Sequence, residues 1–445
     1  MNSRYAFWLL ALCAALPVGA ADTRIITFNE AVRIALEQNT ELRQALNTAA
    51  SAEVGVSEAR MEFLPDLRLS TSSSKDFGRN FSESEGRIVD QNSTSLSLGL
   101  SSGVTLFNGF ANTANLRSAR LMDKASKLDL GRTRETVVFT VASDFLALIQ
   151  QEEQLRVRRE SLTAESSLLE QVQTFVNAGA RTVADLYQEQ ANVASAQLAV
   201  VDAERAAELA RVDLMDTLQL DPAGIYQFEP PADEQLHSSE ELPPFERMLA
   251  RALDKRVDIS AEEARVAAAE QDVRIARSGY WPDLSLSAGY SSGYTSVSEF
   301  DFSEQLDQRR GGSIGLSLSL PLFDRSATSN ATRRAALRTQ SERIVLDDLR
   351  QGIGLQVRRV QLDYRAAKEQ LTAATAQQRA ADLALEATQQ RYRAGAATLV
   401  ELTQSRATQV QAASTLVSAR YNLLFQRTLA DYYLGELDPA RFSAP

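Results

Sequence analysis

One histidine, His237, and one cysteine, Cys13, are the chain's whole stock of the side chains that most often serve as nucleophile, proton carrier or zinc ligand. A zinc site or a nucleophile–histidine pair needs several such groups to converge. His237 stands in the acidic stretch Asp233-Glu234-Gln235-Leu236-His237-Ser238, and Cys13 lies in an apolar run near the N-terminus. No Gly-x-Gly-x-x-Gly pattern or phosphate-loop signature occurs. Carboxylates are plentiful, but they are interspersed with Arg, Lys and Gln in the manner of solvated helix faces. These residues predict a protein that is not an enzyme and needs neither metal nor cofactor.

Chemistry of another kind is suggested by two short polar segments, Gly179-Ala180-Arg181-Thr182-Val183-Ala184-Asp185 and Tyr392-Arg393-Ala394-Gly395-Ala396-Ala397-Thr398-Leu399-Val400-Glu401-Leu402-Thr403-Gln404. Each follows a long proline-free stretch. Gly179 and Gly395 suit the left-handed position just past a helix end, and Thr182 and Thr398 suit the N-cap of the next helix. Glu401 alone would be an ordinary helix-surface glutamate.

Positioning such segments requires long elements, and the chain has them twice. Leu64-Pro65-Asp66-Leu67-Arg68-Leu69-Ser70 returns as Trp281-Pro282-Asp283-Leu284-Ser285-Leu286-Ser287, Val104-Thr105-Leu106-Phe107-Asn108 as Leu320-Pro321-Leu322-Phe323-Asp324, and Asn177-Ala178-Gly179-Ala180 as Arg393-Ala394-Gly395-Ala396. The offset is about 216 residues each time, which marks two copies of one unit. We divide the chain into residues 1–20, a first repeat at 21–221, an acidic proline-rich linker at 222–244, a second repeat at 245–439 and a tail at 440–445.

The start of the chain carries Arg4, the run Phe7 to Leu16 and the small residues Val18-Gly19-Ala20-Ala21, which read as a signal peptide cut after Ala20. Acylation at Cys13 is not expected, because in Leu10-Ala11-Leu12-Cys13 a bulky leucine, Leu12, stands where lipoprotein signals carry a small residue. No later segment reaches the roughly 20 apolar residues of a transmembrane helix. A formal net charge of −11 without basic clusters disfavours a nucleic-acid partner.

Within each repeat the hydrophobic period changes. Leu96-Ser97-Leu98-Gly99-Leu100 and Ile314-Gly315-Leu316-Ser317-Leu318-Ser319-Leu320 alternate large apolar with small polar residues, as strands with one greasy face do. Together with weaker partners at Leu67/Leu69 and Leu284/Leu286 they predict strand hairpins near 66–106 and 283–323. Phe107, Phe110 and Phe323 mark aromatic exits at the strand ends, as in barrels that cross a membrane. From Ala111 to Asn177 and from Ser326 to Arg393 the sequence is proline-free and rich in helix formers. At 1.5 Å per residue each is a helix of about 100 Å, turning at tips near 179 and 395. The shorter return segments 182–220 and 245–278 are expected to stack end to end, and the helix at 28–62, opened by Thr27-Phe28-Asn29-Glu30, is expected to stack on 399–436. Four strands cannot close a barrel, so the chain must oligomerise.

The tandem halves, the Pro-Asp-Leu strand entries, the Leu-Phe exits into long helices and the tip glycines resemble the TolC family of outer-membrane efflux proteins, over essentially the whole mature chain. The resemblance implies a mainly α fold with transmembrane β, four strands and long helical hairpins per chain. It also implies a homotrimer whose 12-stranded β-barrel lies in outer-membrane lipid and continues into a 12-helix periplasmic α-barrel, with the linker in a belt midway. Partners implied are a periplasmic adaptor and an inner-membrane RND or ABC pump, for multidrug efflux or type I secretion. By residue match Glu401 falls at an acidic ring position and Tyr392 at a latch position. Gln404 replaces a second acid and Ala397 an arginine, while the first tip keeps Arg181 and Asp185. The competing readings are a periplasmic coiled-coil adaptor and a structural protein.

Overall fold

The computed structural model describes residues 24–82, 86–90, 92–229 and 241–437. The expected signal segment with Cys13, the linker centre with His237 and the tail at 440–445 lie outside the described residues. The first half runs through β1 (Arg24–Thr27), α1 (Phe28–Gln38), α2 (Thr40–Met61), β2 (Arg68–Asp76), β3 (Arg79–Ser82), β4 (Arg87–Asp90), β5 (Ser93–Asn108), α3 (Ala111–Asn177), α4 (Val183–Thr217) and β6 (Tyr226–Glu229). The second continues through α5 (Phe245–Lys255), α6 (Val257–Arg277), a 3-10 turn at Ser278–Tyr280, β7 (Asp283–Thr295), α7 (Phe302–Gln308), β8 (Gly311–Ser319), α8 (Ala327–Arg393) and α9 (Leu399–Tyr433).

Helices α3 and α8 are each 67 residues long, and α4 and α9 are each 35. The proline-free stretches thus form the uninterrupted helices their composition favours. Helix α3 packs on α4 and α2, α8 packs on α9 and α6, and α6 also packs on α3, joining the two repeats.

The order of stacking differs from the expected one. Asn39 Nδ2 donates to the Thr217 carbonyl at 3.3 Å and Thr40 Oγ1 to Gln219 Oε1 at 3.3 Å, so α2 continues α4. Lys255, the last residue of α5, donates through Nζ to Glu436 Oε1 at 2.9 Å, and Gly435 lies against the Lys255–Arg256 backbone, which sets the start of α6 at the end of α9. Connectivity explains this: α2 leads into the strand hairpin from which α3 departs, so α2 lies beside the sheet end of α3 while α4 folds back from its tip. Each spliced limb therefore closes inside its own repeat. The expected continuous helix 28–62 is also broken at Asn39, whose ψ of 129° leaves the helix and whose side chain caps α2 through Leu42 N. Thr27 caps α1, but the Glu30 carboxylate turns to Arg24 and Arg33 instead of completing a capping box.

Strands β2, β5, β7 and β8 form one antiparallel sheet in that order, with both predicted hairpins present and β5 paired to β7 across the repeats. Register places Leu69, Leu100 and Tyr290 in one row, Val104, Leu286 and Leu316 in another, and Phe107, Leu284 and Leu318 in a third. The other face carries rows such as Ser70, Gly99, Ser291 and Gly311, or Thr105, Ser285 and Ser317. The large side chains lie open: Leu69 is 80% exposed, Ile314 82% and Leu318 68%. Strand β8 stops at Ser319, short of the expected Phe323, because Pro321 has no N–H to continue a ladder.

Sequence alternation found four strands; the described residues contain eight. Strands β1 and β6 pair in parallel and β3 with β4 antiparallel. Each has four residues, too few for a legible period. Ile26 of β1 and Phe228 of β6 close a core with Val32, Ala35, Val141, Phe145, Leu148 and Leu214. The first part of the linker thus packs, through β6, against the middle of α3.

Candidate functional site

Both hairpin tips are built by one local device. At the first, Ala180 N donates to the Phe175 carbonyl at 2.8 Å and Gly179 N to that of Val176 at 3.0 Å, the paired bonds of a Schellman motif. At the second, Ala396 N reaches Arg391 O at 2.8 Å and Gly395 N reaches Tyr392 O at 3.1 Å. Gly179 and Gly395 have φ of 72° and 75°, the left-handed conformation expected of them. Thr182 and Thr398 are the N-caps of α4 and α9, and each closes a full capping box, with Asp185 and Glu401 respectively.

That geometry gives Glu401 a local task. Its Oε2 accepts from Thr398 N at 2.8 Å, and its Oε1 lies 3.9 Å from Arg391 Nη2. The Thr398 backbone amide first, and Arg391 after it, hold this exposed carboxyl below the usual glutamate range. Asp185 Oδ2 accepts from Thr182 N at 3.2 Å in the same way. Gln404 is exposed on α9, and Ala397 is buried.

Across the two tips, the Arg181 guanidinium lies 4.7 Å from the ring centre of Tyr392, close enough for cation–π attraction. Tyr392 is 4% exposed and packs with Leu168, Val172, Leu186, Leu399 and Leu402, so both hairpins share one small apolar core at the tip. Its hydroxyl has no hydrogen-bond partner among the described residues, and burial raises its pKa. The structure thus brings Tyr392 and Arg181 together and places Asp185 and Glu401 as cap residues of neighbouring helices.

Sequence reading missed a second polar cluster just above this core, made of Glu165 on α3, Glu189 on α4 and Arg406 on α9. A signal was present. Glu165 precedes Leu168 and Val172, Glu189 follows Leu186 and Arg406 follows Leu399 and Leu402, all at the three- and four-residue steps of a buried seam. Charges in such positions are out of place unless they meet one another.

The aromatic exits differ between repeats. Phe107 is the next-to-last residue of β5, and Phe110 is the N-cap of α3 with φ of 67°, their rings 5.2 Å apart and edge-on. Phe323 is 85% exposed beyond β8, and Arg325 and Ser326 make the matching left-handed corner with φ of 53° and 64°.

A sheet with one apolar and one Ser/Gly face, mounted on paired hairpins about 100 Å long, defines the class of passive outer-membrane channel-tunnels. The chain belongs to the outer membrane efflux protein family, whose model matches residues 31–218 and 248–429. It is 28% identical to Protein CyaE of Bordetella pertussis over 76% of this chain and 69% of that protein. It is 30% identical to the pyoverdine export outer membrane protein OpmQ of Pseudomonas aeruginosa, over 58% of this chain and about half, 54%, of OpmQ. In fold it is similar to the outer membrane protein VceC of Vibrio cholerae, with a TM-score of 0.77 and 19% identity over 92% of this chain and 96% of that one. Helices and strands thus form an outer-membrane channel for tripartite export, and the family sets aside the adaptor and structural-protein readings.

Proposed function

We propose that three copies assemble around an axis, their twelve strands closing a barrel in outer-membrane lipid and their helical hairpins forming a twelve-helix tunnel through the periplasm. The observation that carries this is the four-stranded sheet: among the described residues β2 and β8 are unpaired edges, and the apolar face is left open except where the short α7 meets β7 at Ser292 and Tyr294. In lipid, unpaired strand edges are costly, and closure with neighbouring copies satisfies them. The hairpin tips then face the inner membrane, where Gly179, Thr182, Gly395 and Thr398 shape the turns that meet a periplasmic adaptor and, through it, an RND or ABC pump. Three copies of Glu401 ring the periplasmic mouth, with Asp185 and Gln404 nearby, and the Arg181–Tyr392 contact helps hold it closed. Phe107, Phe110 and Phe323 form the aromatic girdle where barrel meets tunnel. The duct is passive, and its cargo is a small molecule or a secreted protein. Likeness to a pyoverdine export protein favours the small molecule.

Outer-membrane fractions should contain the protein as an SDS-resistant trimer on unheated gels. A soluble periplasmic monomer would defeat the proposal.

A further inference from the structure

Inside the bundle, about two turns from the start of α4, three helices meet through buried polar side chains. Arg406 of α9 donates through Nη1 to Glu165 Oε2 of α3 at 3.0 Å and to the Ala164 carbonyl at 3.2 Å. Asn192 of α4 donates through Nδ2 to Glu189 Oε2 at 3.0 Å and to Thr403 Oγ1 of α9 at 3.4 Å. Glu189 is fully buried, at 0% exposure, and the side chains of Glu165 and Arg406 are 10% and 9% exposed. Glu189 Oε1 is buried without a hydrogen-bond donor, and the Glu189 carboxyl neighbours that of Glu165.

Two carboxylates face one guanidinium here. Ionised together they leave a net negative charge in an apolar seam, next to an oxygen that no donor satisfies, which is strongly unfavourable. A single proton resolves both faults, because a protonated Glu189 donates to Glu165 while Glu165 keeps its ion pair with Arg406. The other titratable group beside Glu189 is Tyr392 from α8, which itself neighbours Arg181 in the first tip turn and Asp185 on α4. Arg181 is engaged with the Tyr392 ring and Asp185 with the Thr182 amide, and neither supplies a donor to Glu189 Oε1.

We propose that Glu165, Glu189 and Arg406 form a proton-operated latch, which ties both limbs of the first hairpin to α9 when one proton is shared between the carboxylates and loosens when that proton leaves. Its effect on conduction rests on reading the tips as the duct's periplasmic gate. Burial, and then the neighbouring Glu165, push the Glu189 carboxyl up to about 7. A solvated glutamate titrates near about 4.3, so the packed state holds the extra proton between those limits. Packing is therefore tightest at and below about pH 4.3, weakens as pH rises towards 7, and gains nothing from this proton above it. The loosening equilibrium changes by up to about tenfold per pH unit in that window.

The test is amide hydrogen exchange on the purified full-length protein in detergent between pH 5 and 8, corrected for intrinsic rates, read over residues 183–195 and 399–410. Exchange should accelerate at least about tenfold with rising pH in the wild type. It should stay slow and pH-independent in Glu189→Gln, which keeps the donor and loses the titration. Glu165→Gln offers a second route should the first variant misfold: with the competing carboxylate gone, Arg406 is free for Glu189, and the step should move to lower pH. A flat wild-type profile, the same step in Glu189→Gln, or an unmoved step in Glu165→Gln overturns the latch. Planar-bilayer conductance over the same pH range separates the two readings. A conductance step that Glu189→Gln removes supports both, whereas an exchange step without a conductance step removes the gate and leaves the latch.

Discussion

Glu401 shows how one side chain can carry two tasks that a single substitution would confuse. It closes the capping box of α9 through the Thr398 backbone amide, and in the proposed trimer it supplies the negative ring at the mouth. Alanine removes both, whereas glutamine keeps an acceptor for the amide and removes only the charge. Glu401→Gln should weaken cation preference in planar bilayers while leaving amide protection of the first α9 turn near wild type; Glu401→Ala should lower both. A reversal potential unmoved by either variant would refute the ring. Because the Thr398 amide and Arg391 hold this carboxyl below its ordinary range, its charge is present above an ordinary glutamate pKa and is lost only as pH falls through the lowered value. Cation preference should therefore persist down to about pH 4.5, below most of the latch's window, so the two titrations separate. Local physics made these caps legible, since a glycine, a threonine and an acid three residues on specify a turn wherever the chain goes. The Glu165–Arg406 pair was not legible in that way, because its members lie 241 positions apart and only a charge in an apolar seam hinted at it.

Between elements, the two repeats solve the strand-to-helix corner with different residues, which makes their backbone strain comparable. Gly109 has φ of 63°, and a Cβ there would come within 2.7 Å of the Ser278 carbonyl oxygen and of Trp281 Cβ. Gly179 has a similar φ of 72° but open space around it. Gly179→Ala should thus cost about 1 kcal/mol, the left-handed penalty alone, and change only exchange near the tip. Gly109→Ala should cost several times more and abolish the SDS-resistant trimer on unheated gels; equal melting of the two variants would contradict this account. Arg325, the counterpart of Gly109, bears a side chain at φ of 53°. Arg325→Gly should raise stability by about 1 kcal/mol, read as a higher melting temperature of the detergent-solubilised protein. Helix lengths and the two hairpins were legible from proline spacing and alternation. The stacking partners were not: α2 sits on α4, and α6 on α9, because of where the strand hairpins deliver the chain, a constraint that no helix carries in its own sequence. The four-residue strands escaped notice for lack of length.

For the whole molecule, the sheet decides what kind of solvent the chain is made for. Its two faces are sorted as cleanly as any amphipathic element, yet the long helices leave the apolar one open, and among the described residues no helix is long and apolar enough to cross a membrane. Adjacent residues of β8 test the sorting directly. Leu316 lies in the row of Val104 and Leu286 on the apolar face, and Ser317 lies in the row of Thr105 and Ser285 on the opposite one. If the apolar face meets lipid, Leu316→Arg places a charge in hydrocarbon at about 2–4 kcal/mol per copy, repeated in each of three copies. Ser317→Arg, one residue away, points its charge into the aqueous interior. Outer-membrane fractions should therefore lose the trimer in Leu316→Arg and keep it in Ser317→Arg, with the second variant showing a lower single-channel conductance for cations. The reverse pattern would mean that the sheet is turned the other way, and equal loss in both would mean that both faces are packed against protein. Either outcome would remove the barrel, and with it the reason for three copies.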